Sequence, residues 1–315
     1  MAANYLHNHK QFHDLINIVS EKMGIEPGLI EKDYWIMHVL YGLKKQGFQF
    51  ELKGGTSLSK GFGIISRFSE DIDIHISPPK GLGVNETSSK TNAVNSRRDF
   101  YDWLNKEIKI DGIIENQRDT DFDNERSYTS GGIRLYYDNK SEPIEGLKEG
   151  ILLEAGFDTV TPNELRTISS WAYEHAKASD IDILDNRAID IACYHPGYTF
   201  VEKLQTIATK FRKEQERGST GVNFMRQYYD IYSLLENKQV LDFIGTEEYF
   251  KHKKKRFPKA DKEISIAQNQ AFILSDEKIR ASFVERYQKT TALYYNGQPE
   301  FDKLMERIKK HLDQL

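Results

Sequence analysis

The chain has 315 residues, 38% of them hydrophobic, 12% aromatic and 29% charged, with a formal net charge of −4. That composition suits a globular protein able to bury a core, in one large domain or two modest ones, and argues against a uniformly basic nucleic-acid binder. No stretch approaches the roughly 20 apolar residues of a membrane span, and MAANYLHNHKQFHDL lacks the basic-then-apolar pattern of a signal peptide, so a cytoplasmic location is expected.

Phe12, Leu15, Ile16 and Val19 recur at helical spacing, and Ile30 to Leu43 carries a second apolar stripe beyond Pro27 and Gly28, which predicts a helical segment over 1–45. At Phe48 the period changes to two. FQFELK reads as a strand, GG as a turn, Ser57 to Phe62 as a short helix, and DIDIHI as a second strand stopped by Ser77, Pro78 and Pro79. RRDFYDWLNKEI follows as an amphipathic helix, and strand-like texture returns in IIENQ, GGIRLYYD and, beyond a loop around Glu142 to Gly150, GILLEAGF. After Pro162 the segments lengthen and read as helical, notably TFVEKLQTIATKFRKE and NFMRQYYDIYSLLE, separated by the loop RGSTGV. The expectation is an α+β protein with a mixed-sheet core over 46–195, N-terminal helices over 1–45 and a C-terminal helical domain over 196–315.

Asp71 and Asp73 are one residue apart, so on a strand both carboxylates share a face while Ile72 and Ile74 point the other way. Two acids so close repel one another unless a cation compensates, and Mg2+ prefers such oxygen donors. An ordinary half-buried strand shows the same alternation. The GGTSL segment upstream adds weight, because Gly54 and Gly55 at a strand-to-helix turn offer N–H groups to a triphosphate, with the Thr56 and Ser57 hydroxyls nearby. Glu154, the charge inside ILLEAGF, is the candidate third acid of a metal site, with Asp158 as runner-up. A place on the solvated side of an edge strand would also account for Glu154.

Lys203 and the pair Arg226 and Asp230 fall on consecutive helices, either as surface charges or intrahelical ion pairs, or as a lysine and an acid facing the glycine turn. Arg67 pairs with an acid or with a phosphate, and His75 continues the face of Asp71 and Asp73 as a structural residue. KHKKKRFPK, residues 251–259, and the Arg97–Arg98 pair are solvated charges or contacts to an RNA backbone. The single cysteine, Cys193, reads as core filling.

GGTSLSK and RFSEDIDIHI resemble the motif of the polymerase-β-like nucleotidyltransferases. With EKDYWI at 31–36, FVEKLQTIATK from 200 and RQYYDIYSLL from 226, the order is similar to that of the AbiEii/AbiGii toxin family, from about residue 30 to 240. The resemblance implies the toxin half of a bacterial toxin–antitoxin or abortive-infection pair; the family includes the MenT toxins, which transfer nucleotides to the acceptor end of tRNA. It implies Asp71 and Asp73 as metal ligands, Gly55, Thr56 and Ser57 as holders of the NTP phosphates, and Lys203 and Asp230 as the motif lysine and late acid. Members commonly have an acid after the motif arginine, where this chain has Gln227 after Arg226. The expected reaction is Mg2+-dependent nucleotidyl transfer from an NTP to an RNA 3′ end, most simply tRNA, in a site between core and helical domain. Transfer to a protein such as a cognate antitoxin, or Mg-NTP binding without turnover, are the competing expectations.

Overall fold

The computed structural model describes residues 4–144, 147–218 and 222–315, so residues 219–221 of the RGSTGV loop, and 145–146 of the loop expected around Glu142 to Gly150, lie outside the described residues. By its internal contacts the chain divides into two units: Met1–Gly61 with Phe68–Tyr194, and Phe62–Arg67 with His195–Leu315. The chain thus leaves the first unit after the glycine turn, lends six residues to the second, and returns just before Asp71.

In the first unit, α1 (Phe12–Met23) ends at Gly24, whose φ of +67° only glycine adopts cheaply. α2 (Pro27–Lys45) starts on Pro27 and is buried along most of its length, so it sits in the core rather than on a surface. β1 (Phe50–Lys53) leads into α3 (Gly54–Thr56) and a π-helical turn at Ser57–Gly61. β2 (Asp71–Ile76) alternates as its sequence requires, with Ile72, Ile74 and Ile76 fully buried and the polar residues between them half-buried. Each of those isoleucines contributes about 1.5–3 kcal/mol by burial.

α4 (Thr91–Glu107), β3 (Ile113–Asp119), β4 (Ser130–Tyr137), β5 (Ile151–Gly156), β6 (Asn163–Ile168), α5 (Trp171–Ala178) and β7 (Ala188–Tyr194) complete the unit. Among the described residues the strands form one seven-stranded sheet, ordered β3-β4-β5-β2-β1-β7-β6. The sheet is mixed, with β1–β7 and β2–β5 parallel and the remaining pairs antiparallel. The fold is the expected α+β class.

Two features depart from the expected organisation. The helices before residue 46 pack in the same unit as the sheet, through α2 against β5 and β7. The stretch after Pro162 is not wholly helical, since it supplies β6 and β7. β6 is an edge strand with Leu165 65% exposed, so its residues carry no clean alternation of apolar and polar positions.

The second unit is built on α6 (Pro196–Arg217), whose Phe200, Val201, Leu204, Ile207 and Phe211 are buried against α7 (Arg226–Leu234), α8 (Lys238–Phe243), α9 (Glu247–Arg256) and α11 (Gln270–Ile273), the last reached after α10 (Lys259–Lys262). α12 (Glu277–Gln288) and the amphipathic α13 (Phe301–His311), which packs on α7, close it. No described helix is long and apolar enough to cross a membrane.

Candidate active site

The strand register gathers the acids. Asp73 on β2 stands beside Glu154 on β5 and, on its other side, Lys53 on β1, and directly paired residues project to the same sheet face. Asp71, two residues before Asp73, shares that face. Glu154 is half-buried, and its pKa is pushed up to about 7, first by burial and then by the negative charge of Asp73 and Asp71, with Lys53 pulling it back. Lys53 had no place in the sequence reading; its position immediately before the glycines was the available signal.

Gly54 and Asp73 touch. At Gly54, with φ +70°, an added Cβ would lie 2.0 Å from Asp73 Oδ2, so the carboxylate occupies the space that the missing side chain leaves. The glycine turn and the acid pair therefore form one continuous surface within the first unit. Gly54→Ala is expected to displace the Asp73 carboxylate and to add about 1–2 kcal/mol of backbone strain. Gly63→Ala, with a similar φ of +64° and open space around it, carries the strain alone. Comparing the melting temperature and Mg-NTP affinity of the two variants checks the contact: affinity falls only in Gly54→Ala.

The side chains of Thr56 and Ser57 are both buried. Thr56 is fully buried and Oγ1 donates to the Asp71 carbonyl at 2.5 Å, tying the turn to the start of β2. Ser57 is equally buried, with its hydroxyl beside the Cys193 thiol, whose pKa burial pushes up to about 11. The backbone N–H groups of the first helical residues of the turn lack intrahelical acceptors.

The EKD run of α2 braces this surface, a role that sequence reasoning did not resolve. Both Glu31 carboxylate oxygens accept from the Lys140 N–H at 3.0 and 3.1 Å. Lys32 donates to the Lys148 carbonyl at 2.7 Å; burial lowers its pKa, opposed by Glu70 and Asp71. Asp33, 1% exposed, accepts from Lys60 at 2.7 Å and from the Trp171 N–H at 2.8 Å, which anchors the end of the glycine-turn helix. Burial raises the Asp33 pKa, and Lys60 offsets part of that rise. The three charges of this run are thus spent on fixing loops and the turn.

In the second unit, Asp230 is fully buried and accepts both arms of a fork from Arg67, Nε and Nη2 each at 2.6 Å. Lys203 Nζ lies 2.5 Å from Asp230 Oδ2 and donates to Gln227 Oε1 at 3.1 Å. Burial alone would raise the Asp230 pKa; Arg67 and Lys203 outweigh it and hold it below the usual carboxylate value. Arg67 therefore takes an acid as its partner, and the amide of Gln227 caps Lys203 where an acid would add a second negative charge. The segment Phe62–Arg67 is pinned further by the Tyr229 hydroxyl accepting from the Ser66 N–H and the Tyr295 hydroxyl donating to the Ile65 carbonyl.

Other expected positions come out differently. β5 ends at Gly156, so Asp158 is off the strand and exposed and does not share the face of Glu154. Arg97 is 1% exposed and donates to the Ser127, Asn85 and Ser88 carbonyls, which makes it a loop tie and removes it as a phosphate contact; Arg98 pairs with Asp99. His75 pairs across strands with Glu51, Nδ1 to Oε2 at 2.5 Å. The basic run is the last turn of α9 and the residues after it, with cations where a helix C-terminus favours them. Lys251, Lys254 and Lys255 are exposed, while Lys253 donates to the Leu315 carbonyl.

The donor set suits magnesium, being three carboxylates on one face, one of them with its charged form opposed by the other two. Among the described residues no group of three or more histidine, cysteine, aspartate or glutamate side chains is placed so that it could hold a metal ion, Asp71, Asp73 and Glu154 included. The fit rests on donor chemistry and on the electrostatic strain at Glu154, which a divalent cation would relieve.

A larger cavity, of about 580 Å³, lined by Tyr5, His38, Tyr41, Lys45 and Asp111 among others, contains none of these acids. No curated protein matches the chain. The family model described as "Nucleotidyl transferase AbiEii toxin, Type IV TA system" matches residues 38–307, beginning just after EKDYWI and covering the glycine turn, the acids, Lys203 and Asp230. With most of its length matched and its acids and glycine turn gathered on one mixed sheet, the chain belongs to the AbiEii nucleotidyl transferase toxin family of type IV toxin–antitoxin systems.

Proposed function

We propose that the chain transfers a nucleotidyl group from an NTP to the 3′ hydroxyl of an RNA, most simply the acceptor end of tRNA, in a magnesium-dependent reaction that an antitoxin restrains. The observation that carries this reading is the contact of the Asp73 carboxylate with the glycine turn at Gly54. It sets candidate metal ligands directly against a candidate phosphate cradle.

Asp71, Asp73 and Glu154 would hold the metal, which when bound neutralises the reacting phosphate and lowers the barrier to attack. The N–H groups from Gly54 to Thr56 hold the phosphates that leave as pyrophosphate. Glu154, on the sheet face it shares with Asp71 and Asp73, would accept the proton as the acceptor oxygen bonds to the α-phosphorus and the bond to pyrophosphate breaks. Asp230 gives Lys203 a fixed counter-ion and position within the second unit. Exposed Lys251, Lys254 and Lys255 on α9 serve as RNA backbone contacts.

Incubation with α-labelled NTPs, Mg2+ and total tRNA is expected to label RNA, and a chelator to stop it. Label on protein in place of RNA would favour an antitoxin as acceptor and overturn the RNA assignment.

A further inference from the structure

A second cavity, of about 400 Å³, lies against β3 and β4, lined by Gln117, Asp119, Arg134, Tyr136 and Lys148 among others. Its volume falls in the range of small-molecule sites. Register places it on the face that carries the acids. Arg134 pairs with Leu152, which pairs with Asp71; Gln117 pairs with Arg134; and Tyr136 follows Arg134 by two residues. Adjacent strands lie about 4.8 Å apart, so the Arg134 backbone stands about 10 Å from that of Asp71.

We infer that this cavity receives the terminal unpaired nucleotide of the RNA acceptor. The inference rests on the nucleotidyl-transfer reading above. Attacking and leaving oxygens lie on opposite sides of the reacting phosphorus in an in-line displacement. The glycine turn, extending from β1, takes the leaving phosphates on one side of Asp71 and Asp73. Across the sheet on the other side come β5 with Glu154, then β4 and β3 with the cavity. The attacking nucleotide therefore approaches over Glu154 from the cavity side.

The chemistry of the lining agrees. It carries as many carboxylates as cations, which suits a base and ribose and disfavours a triphosphate. Arg134 is 6% exposed and already held by Asp119 at 2.5 and 2.9 Å and by the Glu149 carbonyl, so it forms a fixed wall. Tyr136 is half-buried and its hydroxyl donates to Gln117 Oε1 at 3.3 Å, which steadies the ring as a stacking platform. Lys148, with 59% of its side chain exposed and its Nζ 3.8 Å from the exposed Asp121 carboxylate, supplies a cation that a single backbone phosphate can share.

Tyr136→Ala, assayed with total tRNA, α-labelled NTPs and Mg2+, is expected to raise the KM for tRNA about tenfold, the scale of one lost base–aromatic stack. Tyr136→Phe keeps the ring and is expected to restore the KM, and Mg-NTP affinity is expected to stay unchanged in both variants. An unaltered KM in Tyr136→Ala, with labelling abolished by Asp71→Ala, overturns the cavity assignment and leaves the transfer reading standing. A Tyr136→Ala defect confined to Mg-NTP affinity also overturns it. Absence of any RNA labelling by the wild-type protein overturns both.

Discussion

Asp73→Asn is expected to cut nucleotidyl transfer by about 10³-fold or more while raising the stability of the magnesium-free protein. Both effects come from the same charge. Asp73 opposes ionisation of Glu154 beside it, and together with burial it sets the Glu154 pKa at about 7, above the ordinary carboxylate value. An acid with a raised folded-state pKa is penalised at pH above that value, and the penalty fades as pH falls toward the unfolded pKa. Its size is on the order of 3 kcal/mol for the wild-type protein. Thermal melts without magnesium at about pH 8 and about pH 5.5 are therefore expected to show wild type gaining stability toward the lower pH relative to Asp73→Asn. Magnesium is expected to stabilise wild type most at the higher pH. Identical pH slopes for the two proteins would contradict the electrostatic account.

Asp230→Ala is expected to act on stability before activity. It strands the Arg67 guanidinium and the Lys203 ammonium, both buried, without their shared counter-ion. Breaking a buried ion pair from one side costs about 3–5 kcal/mol, a large part of the total stability of a domain. The sign with pH is opposite to that of Glu154. The depressed Asp230 pKa contributes stability that is present above the ordinary carboxylate pKa and is lost as pH falls through the folded value. Urea unfolding of wild type and Asp230→Ala near neutral pH measures the loss. A difference below about 1 kcal/mol, the scale of an exposed pair, would contradict a buried triad.

The strand bearing Asp71 and Asp73 was legible because isoleucines at every second position force the intervening acids onto one face. Glu154 was legible as a charge in an apolar run, but its neighbour was not: the partner strand lies some eighty residues earlier, and a parallel pairing leaves no turn signal to fix register. Asp158 was misplaced for the same kind of reason, since only the sheet shows that β5 stops at Gly156. Arg97 and the Thr56 hydroxyl looked available because a sequence does not reveal which polar groups will be consumed by nearby carbonyls. The EKD run is the converse case, in which three consecutive charges are buried on α2 and brace the turn. β6 escaped because an edge strand need not alternate.

The acid pair against the glycine turn is proposed to carry out nucleotidyl transfer. The most direct test of that role follows pyrophosphate release together with the mass of the RNA acceptor, for wild type, Asp71→Ala and Asp73→Ala, with NTP and magnesium. Wild type is expected to release pyrophosphate and yield an RNA heavier by whole nucleotides, and the two variants to give neither signal. Equal turnover by wild type and both variants would contradict that role.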